Sequence, residues 1–123
     1  KEFDKTGKRI VEGQYLDDYK SGEWLYDVGD QREKGRYKLG NKTGTWEHYY
    51  PDGTLKFKGG YISGREEGRH FHYYPSGKIR LEAYYESGRK ERTWTWYGED
   101  GLPLKSITYD NGKEVRIDGM RLE

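Results

Sequence analysis

Residues 44–64, GTWEHYYPDGTLKFKGGYISG, return 24 positions later as GRHFHYYPSGKIRLEAYYESG, residues 68–88. What persists between the copies is glycine, aromatic and turn chemistry, whereas a duplicated active site would keep its polar residues. A wider pattern, Y-x-x-G followed four residues later by G or R, runs through the chain in five registers. These are Tyr15-Asp18-Gly22, Tyr37-Gly40-Gly44, Tyr61-Gly64-Gly68, Tyr85-Gly88-Arg92 and Tyr109-Gly112-Arg116, with Asp18 in place of the first inner glycine. Eight residues before each tyrosine stand Gly7, Gly29, Gly53, Gly77 and Gly101, spaced 22, 24, 24 and 24. A two-residue deletion between Trp24 and Gly29 accounts for the short first interval. Fixed periods of this size mean one supersecondary unit stacked on copies of itself.

Each unit reads as a β-hairpin. Trp46-Glu47-His48-Tyr49-Tyr50 and Leu55-Lys56-Phe57-Lys58 are aromatic, β-compatible or alternating, and carry no helical stripe. Between them Pro51 presets φ for the first corner of a turn, Asp52 suits the second, and Gly53 accepts the left-handed residue that follows. Pro75-Ser76-Gly77 repeats this chemistry and Glu99-Asp100-Gly101 approximates it, while Ser63-Gly64, Ser87-Gly88 and Asn111-Gly112 turn the chain into the next unit. About ten antiparallel strands and no helix are expected. The units fall at approximately 1–21, 22–43, 44–67, 68–91 and 92–115, with a terminal strand 116–123, all in one domain.

Faces depend on loop length. A three-residue loop at Pro51-Asp52-Gly53, which the turn residues favour, sets Tyr50 against Thr54 and Tyr49 against Leu55. One face then gathers Phe3, Leu25, Tyr49, Tyr73 and Tyr97 with Leu55, Phe57, Ile79, Leu81 and the repeated tyrosines. The other carries Trp46, His48, Trp94 and Trp96 among the stems of Lys56, Lys58 and Arg80. A four-residue loop would slip this by one and merge the tryptophans with the aliphatics.

Composition narrows the class of function. Only 31% of the 123 residues are apolar and 37% are charged, so the core is thin. Thirteen Tyr, four Trp and three Phe nevertheless argue for order. A net charge of +1, with both signs interspersed, leaves no basic stripe for nucleic acid. The absence of cysteine excludes disulfides, thiolate catalysis and sulfur-ligated metal. No apolar run approaches the roughly 20 residues of a membrane-spanning helix. The sequence begins Lys1-Glu2-Phe3 and its one methionine is Met120, which suggests a removed leader or a fragment. A cell-envelope or secreted protein is the expectation on that ground, with a cytoplasmic one the alternative.

Candidate chemistry is sparse. His48 and His72 occupy equivalent positions in successive hairpins, which puts their backbones two strand spacings, roughly 9–10 Å, apart. That is too far for convergence on one ion at about 2 Å, and no fourth ligand suggests itself. The histidines are read as aromatic packing elements in tryptophan positions, with no metal and no cofactor expected. No carboxylate pair stands in an apolar setting, no G-x-S-x-G elbow occurs, and Gly59-Gly60 lies inside a strand where it admits a ring from the next unit. No enzymatic activity is expected.

The pattern G-x-W-x-x-Y-Y-x-x-G, a variable strand, then G-x-Y-x-x-G resembles the bacterial variant of the MORN repeat. Gly44-Thr45-Trp46-Glu47-His48-Tyr49-Tyr50-Pro51-Asp52-Gly53 is the fullest copy. Gly22-Glu23-Trp24 is shortened, Gly68-Arg69-His70 replaces the tryptophan, and Arg92-Thr93-Trp94 replaces the leading glycine. The resemblance implies stacked hairpins in an elongated, twisted single-layer sheet, a solenoid, with functions in scaffolding, partner binding or lipid contact. Many bacterial members bear an antitoxin-type label. A single layer cannot bury both faces, so some of Trp24, Trp46, Tyr50, Tyr74, Trp94 and Trp96 are expected to stay accessible as a partner-binding surface. Alternatively the rings, crossed by Lys and Arg stems, stabilise the sheet through cross-strand and cation–π contacts. A protein partner is the leading expectation and a glycan stacking on the rings the alternative. Antitoxin-type pairing and membrane-headgroup binding follow, the latter weakened by the near-zero net charge. Open sheet edges leave self-association possible.

Overall fold

A computed structural model of the chain describes residues 2–3 and 9–119, with side chains from Val11 to Gly119. The strands are β1 (Glu2–Phe3), β2 (Arg9–Leu16), β3 (Tyr19–Val28), β4 (Gln31–Lys38), β5 (Asn41–Tyr49) and β6 (Leu55–Ile62). They continue as β7 (Arg65–Tyr73), β8 (Ile79–Glu86), β9 (Arg89–Lys90), β10 (Arg92–Tyr97), β11 (Pro103–Asp110) and β12 (Lys113–Asp118). Every pairing is antiparallel, and strand order follows sequence order from β1 to β12, with the short β9 lying off that path against β8. The protein is all-β, one open sheet with no helix among the described residues. At 4.7–4.9 Å per strand its eleven-strand path extends about 48 Å. Gly7, Met120 and residues 121–123 lie outside the described residues, as does the side chain of Phe3.

Two turn types alternate. Leu39-Gly40, Ser63-Gly64, Ser87-Gly88 and Asn111-Gly112 all have positive φ at both residues, as do Asp17-Asp18, the signature of a two-residue type I′ hairpin. The amide of the second residue also reaches back one repeat. Gly40, Gly64, Gly88 and Gly112 donate to the carbonyls of Lys20, Lys42, Glu66 and Lys90 at 2.9–3.0 Å. The other turn is the expected three-residue loop. Tyr50 N donates to Thr54 O and Gly53 N to Tyr50 O, both at 2.8 Å, and Gly53 has φ 92°. Tyr74 with Lys78 and Gly98 with Leu102 repeat this arrangement.

The faces differ from the sequence expectation although the loop is as expected. Tyr49 pairs with Leu55, but His48 pairs with Phe57, so Lys56 is an extra residue in β6. Arg80 is extra in β8 and Leu104 in β11 by the same pairing shift. A bulge shifts the alternation of all side chains beyond it by one. Trp46 and His48 therefore share a face with Phe57, and Trp94 and Trp96 with Leu81, whereas Leu25, Tyr49, Tyr73 and Tyr97 turn to the opposite side. Lys58, expected beside the tryptophans, instead pairs with Glu47 across from them. The merged grouping expected of a longer loop arises here from a shorter loop plus a bulge.

The buried set follows from that merger: Trp24, Trp46, Phe57, His70, Leu81, Ala83 and Trp94. All lie on one side of the sheet, so a single layer makes its core by laying large rings along itself.

Candidate interaction surface

The ring at each repeat's tryptophan position crosses back over the preceding hairpin. Trp24 lies on Gly13, Trp46 on Gly35 and His70 on Gly59. A Cβ at Gly35 would sit 2.1 Å from Trp46 Cδ2, one at Gly13 2.0 Å from Trp24 Cδ2, and one at Gly59 2.4 Å from His70 Nδ1. The approach is possible only where no side chain intervenes. It leaves Trp46 0% exposed, Trp24 5% and His70 2%, and Trp94, packed with Ala83 at the equivalent position, is also 5% exposed. Beside Gly13, Gly35 and Gly59 the ladder shifts register, and the ring bonds the carbonyl of the residue that follows the column position. Trp24, Trp46 and Trp94 donate from Nε1 to the carbonyls of Gln14, Arg36 and Tyr84, each at 3.1 Å. His70 Nε2 makes the equivalent bond to Gly60 O at 2.8 Å. Because a carbonyl only accepts, this places the imidazole proton on Nε2.

The repeated tyrosines stand edge-on between these rings. Tyr15–Trp24, Trp24–Tyr37, Tyr37–Trp46, Tyr61–His70, His70–Tyr85, Tyr85–Trp94 and Trp94–Tyr109 have centroids 4.8–5.7 Å apart. That edge-to-face geometry aligns the positive ring edge with the negative face of its neighbour. Lys42 Nζ bridges the remaining junction, 4.6 Å from the Trp46 ring and 5.2 Å from Tyr61. The result is an aromatic ladder along the sheet.

Of the six residues nominated for binding, Trp24, Trp46 and Trp94 are buried, and Tyr50, Tyr74 and Trp96 are the ones that keep exposed surface. Trp24 and Trp46 lie on glycines and Trp94 packs with Ala83 and Leu81. Tyr50 and Tyr74 are half-buried, and their hydroxyls donate to Tyr73 O and Tyr97 O at 2.6 Å, tying each hairpin to the next. Trp96 is half-buried, with Lys105 Nζ 4.9 Å over its ring. It ends a row the sequence reading did not assemble: Tyr26, His48, His72 and Trp96, each two residues past the tryptophan position and each partly exposed. The 22-, 24- and 24-residue intervals carried that signal, but the unseen bulges hid which residues shared its face.

A cavity of about 300 Å³ opens at the middle of this face, lined by His48, Lys56, Phe57, Tyr61, Glu66, His70, His72 and Tyr85. Phe57 centres the three histidines, 5.0 Å from His48, 5.3 Å from His70 and 4.9 Å from His72. Burial, with the nearby cation Arg80 next, pushes His72 down to about 4. Burial likewise lowers His48 and His70. His48 Nε2 is buried without a hydrogen bond, 3.5 Å from Glu33 Oε1. Among the described residues no group of three His, Asp or Glu could hold a metal ion.

The opposite face is ionic. Arg32–Asp27 at 3.2 Å, Arg36–Glu23 at 3.7 Å, Lys34–Glu47 at 3.8 Å and the Arg69–Glu82 pair cross between strands. Solvent screening leaves such pairs worth at most about 1 kcal/mol each.

Residues 42–62 and 66–88 match the family model of the MORN repeat variant. These two segments cover all but the first residue of the β5–β6 and β7–β8 hairpins, which line most of the cavity. MORN repeats are generally binding or scaffold modules and the family is typically non-enzymatic. No curated protein matches the chain in sequence.

Proposed function

We propose that the chain is a protein–protein interaction or scaffold module whose aromatic sheet face receives a protein partner. The observation that carries this reading is the row Tyr26–His48–His72–Trp96 on a face without a second layer among the described residues. Its members lie two strands apart, roughly 9–10 Å, on a base fixed by the buried ladder. Such a base orders the surface before binding, which lowers the entropy lost on association. A glycan would need flat, open rings, and Trp24, Trp46 and Trp94 are covered while Trp96 is crossed by Lys105.

The test starts from a stoichiometric partner identified by pull-down and separates affinity from stability. Trp96→Ala is expected to weaken binding by about 2 kcal/mol or more if that ring is a hot spot, with a smaller loss of stability than Trp94→Ala because Trp96 is only half-buried against the core cluster. Trp94→Ala is expected to destabilise the fold by about 3–5 kcal/mol, since its ring is core. Lys56 and Arg80 substitutions should act mainly on a salt-dependent association rate. Unchanged affinity of Trp96→Ala for the partner would remove this face from the interface.

A further inference from the structure

At three places the chain supplies its own cation to the aromatic ladder. Lys20 Nζ lies 5.1 Å from the Trp24 ring and 5.0 Å from Tyr37. Lys42 Nζ takes the same place at Trp46 and Tyr61, and Lys90 Nζ lies 4.9 Å from Trp94 and 5.1 Å from Tyr109. The equivalent residue of the remaining repeat, 24 positions after Lys42 and 24 before Lys90, is Glu66. A second exchange accompanies it, because the ring at that junction is His70 and not an indole. The chain thus withdraws an ammonium and half a bicyclic ring at one point, and the cavity opens there.

The rings that would receive the cation are in place. His70 stands 4.8 Å from Tyr85 and 5.5 Å from Tyr61, with Phe57 behind it at 5.3 Å. Neither neighbouring lysine fills the space. Lys42 is engaged with Trp46 and Tyr61, and Lys56, at the rim, has its Nζ 5.6 Å from the Tyr50 ring. Glu66 is half-buried on the cavity wall and has no ion pair among the described residues. Its charge reaches both phenols, adding to the upward push that burial gives Tyr61 and Tyr85. Lys42, Lys56 and Arg80 are the cations that act on His48 and His72, Lys90 pairs across from Tyr85 but lies over Trp94 and Tyr109, and Glu33 beside His48 is a second carboxylate.

We infer that the cavity is an ammonium site filled from outside: a lysine side chain of the partner protein enters beside Tyr85 and His70 and donates to the Glu66 carboxylate. The inference rests on the partner-binding reading above. A cation over aromatic faces gains from the ring quadrupoles, and more so when partly desolvated. Lys20 and Lys42 already hold ammonium groups at successive junctions, so one at the next junction continues an array that the sheet tolerates. The inversion of charge at residue 66 supplies the counter-ion that an incoming cation needs among Lys42, Lys56 and Arg80. A primary ammonium suits the site because its N–H groups can donate to a carboxylate, as a quaternary one cannot.

The full chain titrated with n-butylammonium chloride, and followed by NMR of its His and Tyr ring resonances, tests this. Saturable shifts at His70, Tyr61 and Tyr85 are expected, and none with 1-butanol or sodium butyrate. Glu66→Gln should weaken binding at least tenfold. Glu66→Lys should abolish it while leaving the fold intact by circular dichroism, since its own ammonium then completes the series of Lys20, Lys42 and Lys90. Equal shifts with 1-butanol, preferred binding of butyrate, or choline binding as tightly as butylammonium would each overturn the assignment. The captured partner should bind Glu66→Lys at least tenfold more weakly than wild type. Wild-type affinity there overturns the lysine site and leaves the partner reading standing. Butylammonium binding lost in Glu66→Lys with no partner captured supports the cage and removes the partner reading.

Discussion

A histidine in a tryptophan position defines the chemistry of this molecule at the scale of single residues. His70 was legible as an aromatic filler from its place in the 24-residue period, and it is buried and bonded to the carbonyl that an indole meets elsewhere. Its pairing with Glu66 was not legible, because the cationic role of residues 20, 42 and 90 emerges only when their ammonium groups fold over the rings. The histidines also set how the fold responds to acid. His72 is pushed to about 4 and His48 and His70 are lowered, burial being the first cause in each case. Unfolded histidine titrates near 6.5, so below that pH the unfolded chain binds protons that the folded one refuses. Their contribution to stability is therefore complete above about pH 6.5 and is lost as pH falls toward 4. The interval from about 6.5 to 5 belongs to the histidines, since ordinary carboxylates titrate lower. Urea midpoints measured from pH 8 to 4 should be flat to about 7 and then decline, with a shallower decline in His72→Phe. A profile of His72→Phe parallel to wild type through that interval would contradict the assignment.

At the scale of the hairpin, turn chemistry was readable and bulges were not. Pro51-Asp52-Gly53 dictates its loop locally, and Asp52 Oδ1 accepts from Thr54 N at 2.9 Å to close it. The bulged residues Lys56, Arg80 and Leu104 share no side-chain chemistry, because the requirement they meet is tertiary: the next ring must land on the glycine. The shortened hairpin shows this constraint. Gly29-Asp30 closes it with Val28 against Gln31 and no bulge, and Trp24 still pairs with Gly35 as Trp46 pairs with Gly59. The deletion thus removes one loop residue and one bulge residue together. Arg92 presents the opposite case, a side chain at φ 62° where Gly22, Gly44 and Gly68 have 68–78°. That conformation costs a residue with a Cβ about 1–2 kcal/mol, and the guanidinium, 4.1 Å from the Tyr84 ring, returns roughly 0.5–1. Arg92→Gly should be as stable as wild type or up to about 1 kcal/mol more stable, and Arg92→Ala less stable than both, in urea unfolding. Arg92→Ala exceeding Arg92→Gly would refute the strain argument.

At the scale of the whole molecule, the period in the glycines and tyrosines disclosed the open antiparallel sheet, whereas the side on which it builds its core needed the bulges. The ladder of rings on a mostly glycine column holds successive hairpins together and backs the face proposed above for binding. It runs as far as Tyr109, and Ile107 then occupies the column that Gly13, Gly35 and Gly59 began. Ala83 stands in that column beside Trp94, and at that junction the strand breaks, between β9 and β10. β5 runs unbroken past Gly35, so that site lacks such relief.

Urea unfolding of Gly35→Ala tests this account most directly, with Gly53→Ala as the control whose added methyl meets nothing within 4 Å. A Cβ at Gly35 must displace Trp46, which has no exposed surface into which to retreat. Gly35→Ala is predicted to lose about 2–3 kcal/mol by overpacking, against about 1 for the backbone strain at Gly53, with indole emission shifted toward that of exposed tryptophan. Unfolding of Gly35→Ala at the wild-type urea concentration, with emission unchanged, would contradict the glycine-borne ladder on which the proposed binding face rests.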